Sequence, residues 1–219
     1  MERHRIGIVI PAYNEAATIA AIATNASKFG SPIIVDDGSD DDTVKQASVD
    51  GATVVSHSLN QGYDQALNTG FAHAQKAGYE YIITLDADGQ HDPDTLISFI
   101  QALDDGADVV IGIRDKHQRL AEQIFAWLAS IKWGIKDPLC GMKAYRINVY
   151  NSLGHFDSYN SIGTELAIHA AKNGRKITQI AIKTAQRQDS PRFGRRFSAN
   201  RSILRALWLA LLPSSKKLA

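Results

Sequence analysis

Two aspartates after a strongly apolar run have the spacing of a metal site. The run Tyr-Ile-Ile-Thr-Leu predicts a buried strand, and Asp86 and Asp88 follow it directly. Side chains two positions apart in an extended chain lie on one face. Both carboxylates can therefore contact one hard cation, Mg²⁺ or Mn²⁺, which takes further ligands from substrate phosphates. Gln90 and His91 can add a ligand or a phosphate contact. A capped turn explains Asp92 well but Asp86 and Asp88 poorly, because like charges so close repel each other without a cation.

A second acidic segment, Val-Asp-Asp-Gly-Ser at residues 35–39, also follows an apolar run. An aspartate at a strand end can accept a hydrogen bond from a base N–H or a ribose hydroxyl, and Asp36 and Asp37 are both candidates. A plain strand–helix turn capped by Ser39 or Asp40 explains the same residues equally well.

A third segment, Pro-Ala-Tyr-Asn-Glu at residues 11–15, follows the first apolar run. Pro11 ends a strand, Tyr13 can stack on a nucleobase, and Glu15 can bind the ribose or begin a helix. Strand–proline–helix turns are common, so this segment carries little weight alone.

The composition is that of an ordinary globular domain. Of the 219 residues, 44% are hydrophobic and 21% are charged, and the formal net charge of +1 argues against a nucleic-acid partner. A single cysteine, Cys140, predicts a reducing, cytoplasmic location. The few residues before the first apolar run predict no signal peptide. Residues 187–217 contain eight basic side chains and one acid, which indicates an anionic ligand or surface.

Short β-branched runs alternate with helical patterns through the first half of the chain. This rhythm predicts an α/β fold, with a mostly parallel central sheet and helices on both faces. Ligands of such sheets bind beyond the carboxyl ends of the strands, where all three segments would meet. Predicted strands cover residues 6–10, 32–35, 53–56, 81–85, 108–113, 142–145 and 176–182. Predicted helices cover residues 15–29, 41–50, 61–76, 93–103, a stretch from about 120, 164–172 and 197–212.

Taken together and in this order, the segments at 11–15, 35–39 and 86–91 (Asp-Ala-Asp-Gly-Gln-His) closely resemble the family 2 glycosyltransferases of GT-A fold. The subgroup that they resemble most is the dolichol- and polyprenyl-phosphate sugar synthases. The resemblance implies an inverting transfer from a nucleotide-sugar donor to an acceptor. It also implies the following nucleotide-binding residues: Pro11, Tyr13, Glu15, Asp36 or Asp37, Asp86 and Ala87. Asp86, Asp88 and Gln90 would surround a divalent metal and the diphosphate.

Later matches extend the resemblance towards the acceptor. Residues 137–143 (Asp-Pro-Leu-Cys-Gly-Met-Lys) resemble an Asp-Pro-x-x-Gly-Phe-Arg segment of those synthases. Arg114 falls where they have an arginine for the acceptor phosphate. Arg187 and Arg192 fall in a basic loop that covers the diphosphate. Glu165 stands where relatives that act on hydroxyl groups have a carboxylate base. A phosphate acceptor is already ionised and needs no strong base, whereas a sugar hydroxyl does.

The acceptor therefore stays open at this point. A polyprenyl phosphate is favoured, a glycan hydroxyl is the alternative, and Asp137 or Glu165 is the candidate base. Two other classes of protein match parts of this pattern. The Asp-x-Asp-Gly match to dehalogenase-like phosphatases follows the fourth strand instead of the first, which counts against it. A non-catalytic nucleotide-binding module is the third reading.

The last part of the chain predicts a separate amphipathic helix. We assign residues 1–196 to the catalytic domain, and residues 197–219 to this helix and a basic tail. The helix is too short to span a ~30 Å bilayer core. It can lie on the inner face of a membrane as a peripheral contact, or it can pack on the domain. The sequence favours packing roles for Trp127 and Trp133.

Overall fold

The computed structural model describes residues 3–89, 95–115, 119–183 and 196–212. Seven strands form one sheet: β1 (Ile6–Ala12), β2 (Ser31–Asp36), β3 (Thr53–Ser56), β4 (Tyr81–Thr84), β5 (Val109–Arg114), β6 (Lys143–Arg146) and β7 (Ile177–Ile182). Eight α-helices connect or cover them: α1 (Ile19–Ala26), α2 (Thr43–Ala47), α3 (Tyr63–Lys76), α4 (Thr95–Asp104), α5 (Leu120–Trp133), α6 (Ile147–Leu153), α7 (Glu165–Lys172) and α8 (Arg196–Leu211).

The strand order is β3-β2-β1-β4-β6-β5-β7. Every pairing is parallel except those of β6, which lies antiparallel between β4 and β5. The predicted mostly parallel sheet is therefore confirmed. Helix α4 connects β4 to β5, which are not neighbours in the sheet. The strand between them is β6, which comes from a later part of the chain. This insertion brings residues 137–142 to the carboxyl ends of β4 and β5, because Lys143 at the start of β6 pairs with Thr84.

The central strands are buried on both faces, which their Ile- and Val-rich sequences require. In β1, Ile8 and Ile10 face one core layer and Val9 faces the other. Side chains of α1, α2 and α4 complete the first layer, and those of α3, α5, α6, α7 and α8 complete the second. Helices therefore cover both faces, as predicted.

Several boundaries differ from the sequence-based expectation, and one helix is additional. Strand β1 continues through Pro11 to Ala12 instead of ending at Pro11. Helix α1 begins at Ile19 instead of residue 15, because residues 14–18 form a turn in which the Thr18 and Ile19 amides donate to the Glu15 carbonyl. Helix α2 begins at Thr43 with Asp42 at its N-cap position, so the predicted caps Ser39 and Asp40 are wrong. The neighbouring Asp41 accepts the Thr43 amide at 2.9 Å. Helix α6 was not predicted. Burial of Val149 and Tyr150 stabilises it, although its β-branched residues have modest helix propensity.

Candidate active site at the carboxyl edge of the sheet

The loops that follow β1 and β2 are joined by reciprocal hydrogen bonds. The Asn14 amide donates to Ser39 Oγ at 2.9 Å, and the Asp40 amide donates to Asn14 Oδ1 at 2.9 Å. The Glu15 amide donates to Thr43 Oγ1 at 2.7 Å. Asn14 has a φ of 53°, a left-handed conformation that asparagine tolerates better than most residues. The segments at 11–15 and 35–39 therefore form one structural unit.

Asp36 and Asp37 are both buried but have different partners. Asp37 Oδ1 lies 2.7 Å from His57 Nδ1 and accepts the Gln61 amide at 2.9 Å, and its Oδ2 accepts the Gly62 amide at 2.7 Å. Asp36 accepts the Ser39 amide at 3.2 Å. Asp37 thus fixes the loop before α3. Of these two aspartates, Asp37 is therefore the one whose hydrogen bonds give it a structural role.

The third segment lies against the first. Thr18 Oγ1 donates to the Ala87 carbonyl at 2.7 Å and contacts Glu15 Oε2 at 3.1 Å. Asp86 and Asp88 follow β4, and both are half-buried. Tyr63, at the start of α3, donates its hydroxyl to Asp86 Oδ1 at 3.2 Å. The structure therefore brings the three segments to one edge of the sheet.

The backbone of Gly141 fits closely against the carboxylate of Asp86. A Cβ atom at this position would lie 2.6 Å from Asp86 Cγ, far inside the normal contact distance. Thr84 Oγ1 holds the segment in place by donating to the Gly141 carbonyl at 2.6 Å. The glycine is thus required here for space.

Replacing Gly141 by alanine is expected to displace the Asp86 carboxylate and to weaken metal-dependent nucleotide binding by about tenfold or more. The φ of Gly141 lies outside the left-handed region, so the new side chain causes no backbone strain of its own. Titration calorimetry with Mn²⁺ and nucleotide measures the affinity, and thermal unfolding checks the fold. A variant with wild-type affinity would contradict the proposed role of Asp86.

A buried lysine lies beneath this part of the site. Lys143 Nζ donates to the carbonyls of Cys140 at 2.6 Å and Gly163 at 3.1 Å. Burial lowers the pKa of the Lys143 ammonium, and the negative charges of nearby Asp137 and Asp86 oppose that shift. Lys143 therefore ties the segment before β6 to the loop before α7. The resemblance to the synthases identifies Lys143 only as the residue that replaces the arginine of their Asp-Pro-x-x-Gly-Phe-Arg segment.

Arg114 and Asp137 form a bidentate ion pair. Arg114 Nε lies 2.8 Å from Asp137 Oδ2, and a terminal guanidinium nitrogen lies 2.9 Å from Oδ1. Asp137 is completely buried, and Arg114 also contacts Glu122 of α5 at 3.4 Å. Burial by itself lowers the pKa of Arg114, but the hydrogen bond and charge of Asp137 outweigh it and raise the pKa overall. Two of the three predicted catalytic residues, Arg114 and Asp137, are thus bound to each other.

Glu165, at the first position of α7, contacts the loop before it. Its carboxylate accepts the Ser158 amide at 2.6 Å and lies 3.0 Å from His155 Nε2. Ser158 Oγ contacts both carboxylate oxygens at 3.0 Å. The geometry is that of a carboxylate that orders a loop.

Asp64, on α3, was not predicted from the sequence. It accepts the amides of Ile162 at 3.0 Å and Gly163 at 2.7 Å. Ile162 has a φ of 59°, which is strained for a β-branched residue. Burial raises the pKa of Asp64 to about 6, and the charge of Asp157 adds to the shift. The only sequence signal was an acid in the first turn of α3.

Several predicted residues lie outside the described part of the chain: Gln90, His91, Asp92, Arg187 and Arg192. Within the described residues, no three His, Cys, Asp or Glu side chains converge as a metal-binding group. The proposed ligand set therefore depends in part on residues that the structure does not describe. No described helix is long and apolar enough to cross a membrane.

A seven-stranded, mostly parallel sheet with these loops at its carboxyl edge is the GT-A architecture. The chain belongs to glycosyl transferase family 2, whose model matches residues 7–162, and it is therefore a glycosyltransferase.

The relatives of this chain support the subgroup suggested by its motifs. An uncharacterized protein of Methanocaldococcus jannaschii is 31% identical over 201 residues, which cover 84% of this chain and 83% of that protein. The undecaprenyl-phosphate 4-deoxy-4-formamido-L-arabinose transferase of Edwardsiella ictaluri is 31% identical over 204 residues. That match covers 84% of this chain but only 61% of the transferase.

A solved structure has the same fold. Glucosyl-3-phosphoglycerate synthase from Mycobacterium tuberculosis, in complex with Mn²⁺, UDP-glucose and phosphoglyceric acid, superposes with a TM-score of 0.78 at 22% identity. The match covers 97% of this chain and 82% of that chain.

Proposed function

We propose that this chain transfers a sugar, with inversion, from a nucleotide-diphosphate sugar to a polyprenyl phosphate. The observation that carries the proposal is the convergence of three motif segments, linked by hydrogen bonds, at the carboxyl edge of the sheet. Ligands of open α/β sheets bind at this edge. The undecaprenyl-phosphate transferase relative supports the acceptor class.

On the donor side, Tyr13 and Pro11 would contact the nucleobase, and Glu15 the ribose. Asp36 would accept from the base, while Asp37 holds the loop before α3 in position. An aspartate at this place can serve uracil or guanine, so the choice between UDP and GDP is left to binding measurements. Ala87 fixes the adjoining backbone through Thr18.

Asp86 and Asp88 would hold a divalent cation, with Gln90 as a further ligand or diphosphate contact. Two carboxylates on one strand end are a donor set that fits Mg²⁺ or Mn²⁺. Complexes of the fold neighbour contain Mn²⁺. When bound, the cation would neutralise charge on the diphosphate leaving group. Tyr63 orients Asp86, and Arg187 and Arg192 would bind the diphosphate.

On the acceptor side, the contacts of the candidate bases favour a phosphate acceptor. The Asp137 carboxylate is occupied by Arg114, and the Glu165 carboxylate orders the loop at residues 155–158. Neither is arranged as a general base, and an ionised phosphate needs none. Arg114 has a guanidinium that suits phosphate geometry, although here it is engaged by Asp137. Placement on the cytoplasmic face of a membrane stays a prediction.

An acceptor comparison tests the proposal. The full chain is incubated with Mn²⁺ and a radiolabelled UDP- or GDP-sugar, and with either undecaprenyl phosphate or an oligosaccharide acceptor. We expect label to enter the lipid fraction. Label in the oligosaccharide alone would instead support the alternative, transfer to a sugar hydroxyl in envelope polysaccharide synthesis. No transfer from any donor would support a non-catalytic nucleotide-binding module.

A further inference from the structure

Helix α5 exposes a continuous apolar stripe. Leu120, Ile124, Trp127 and Ile131 are 69%, 39%, 63% and 68% exposed. Their spacings of four, three and four residues place them within about 60° of one another around the helix axis. The opposite side of α5 is buried in the core. Trp127 therefore does not have the packing role that the sequence suggested.

Helix α8 packs against α5 and exposes a second apolar stripe. Leu204 is 45% exposed, Trp208 is 60% exposed, and Leu212, just after the helix, is 41% exposed. The other side of α8 is fixed to the domain, because Ile203, Ala206, Leu207 and Ala210 are buried in the core layer that also contains α5. The helix thus packs on the domain and still presents apolar side chains to solvent.

These seven residues form what we call the α5–α8 surface. They account for seven of the ten large hydrophobic side chains that are exposed in the described part of the chain. Such side chains are normal when scattered singly, but their concentration on two adjoining helices marks an interaction surface. Two tryptophans are among them, and tryptophan is enriched where apolar membrane interior meets water.

The exposed charges that α5 and α8 themselves carry at this surface are positive. In α5 the one acid, Glu122, is buried against Arg114 and Arg119, whereas Lys132 is exposed. Helix α8 contains no acidic residue, and its Arg201 and Arg205 are exposed. The formal net charge of the whole chain is only +1, so this basic character is local. Apolar stripes flanked by cations complement a surface of anionic lipid headgroups.

Both helices are joined to the acceptor side of the site. Glu122, on the buried side of α5, contacts Arg114 at the end of β5. Lys172 of α7 donates to the Ala210 carbonyl of α8 at 2.9 Å. Arg205 donates to the Tyr159 carbonyl at 2.8 Å, in the loop before Glu165. A body that contacts the α5–α8 surface would therefore be rigidly placed relative to the carboxyl edge of the sheet.

We propose that the α5–α8 surface docks this protein on the anionic face of a lipid bilayer. Docking of this kind requires neither donor nor acceptor, so the protein can bind a bilayer whichever acceptor receives the sugar.

Vesicle co-sedimentation of the full chain tests this proposal. Vesicles of phosphatidylcholine with phosphatidylglycerol should bind the protein, and binding should weaken with added salt or without the anionic lipid. The double variant Trp127→Glu/Trp208→Glu should bind those vesicles at least about tenfold more weakly, because each change removes an interfacial aromatic and adds a repelled charge. Arg201→Glu should reduce the preference for anionic lipid.

Matched controls are Leu59→Glu and Ile97→Glu, which change side chains that are 75% and 57% exposed outside the α5–α8 surface. They should bind like the wild type, and thermal unfolding verifies that each variant is folded. Equal binding by the double variant, or no binding by the wild type, would overturn the proposal. Light scattering that finds a wild-type dimer, dissociated by the double variant, would assign the surface to a second copy of this chain and overturn it too.

Discussion

Replacing Asp88 by alanine is expected to abolish metal-dependent nucleotide-sugar binding, and to lower the transfer rate on the order of 10³-fold. Asp88 follows a buried strand and shares its end with Asp86, whose carboxylate is oriented by Tyr63 and restricted by Gly141. Removing one of two paired carboxylates would leave too few oxygen ligands for a divalent cation. The diphosphate would then lose its neutralising charge.

The fold should tolerate this change, because a half-buried side chain beyond the end of a strand contributes little to the core. Transfer rates and calorimetric titration with Mn²⁺ and nucleotide measure the effect. Asp50→Ala, which changes an exposed carboxylate before β3, is the control and should behave like the wild type. Unchanged binding and turnover in the Asp88 variant would exclude the metal role.

Replacing Arg114 by alanine is expected to lower the free energy of unfolding by about 3–5 kcal/mol. The change leaves the Asp137 carboxylate buried without its bidentate partner. A buried carboxylate that loses its ionic partner costs far more than the pair itself contributes. The backbone amide of residue 114, which donates to Asp137 at 3.1 Å, is retained in the variant but does not supply the lost positive charge. Arg119, the nearby arginine, is paired with Glu122 at 3.3 Å. It therefore does not replace the hydrogen bonds that Asp137 loses.

Urea unfolding of three variants tests this prediction. The double variant Arg114→Met/Asp137→Leu should be much more stable than Arg114→Ala, because it removes both charges together. Arg5→Ala breaks the exposed pair with Glu80 and should have a far smaller effect. A loss below about 1 kcal/mol for Arg114→Ala would contradict the structural role of the pair, and would favour Asp137 as an independent catalytic carboxylate.

The sequence was sufficient to locate the carboxyl edge of the sheet. Strands β2 and β4 contain the short apolar runs Ile-Ile-Val and Tyr-Ile-Ile, which are typical of strands buried on both faces. Each run ends in polar residues, and parallel strands bring these ends together. The sequence alone therefore predicts that the three motif segments meet at one site.

The contacts within the site could not be predicted in the same way. Asp37 is bound by His57 and two amides of the loop before α3, partners that lie 20 to 25 residues away. The position of β6 between β4 and β5 depends on pairing across about 60 residues. Local patterns carry no information on such pairings. They also gave no sign that Asp64 would support the strained backbone at Ile162.

Helix α8 illustrates a different limit. Its sequence fits both packing on the domain and contact with a membrane, and the pattern alone presents these as alternatives. In the structure its small and aliphatic residues at one side are buried, whereas Trp208 on the other side is exposed. One helix can satisfy both patterns because its sides are distinct. The packing of α8 against α5 decides which side of α8 is buried. The sequence of α8 alone does not contain this tertiary contact.

Calorimetric titration of the full chain with UDP and with GDP, each with and without Mn²⁺, tests the central claim most directly. We expect one of the two nucleotides to bind, and to bind only when the metal is present. Failure of both nucleotides to bind under every condition would contradict the assignment of Asp36, Asp86 and Asp88 to the donor site.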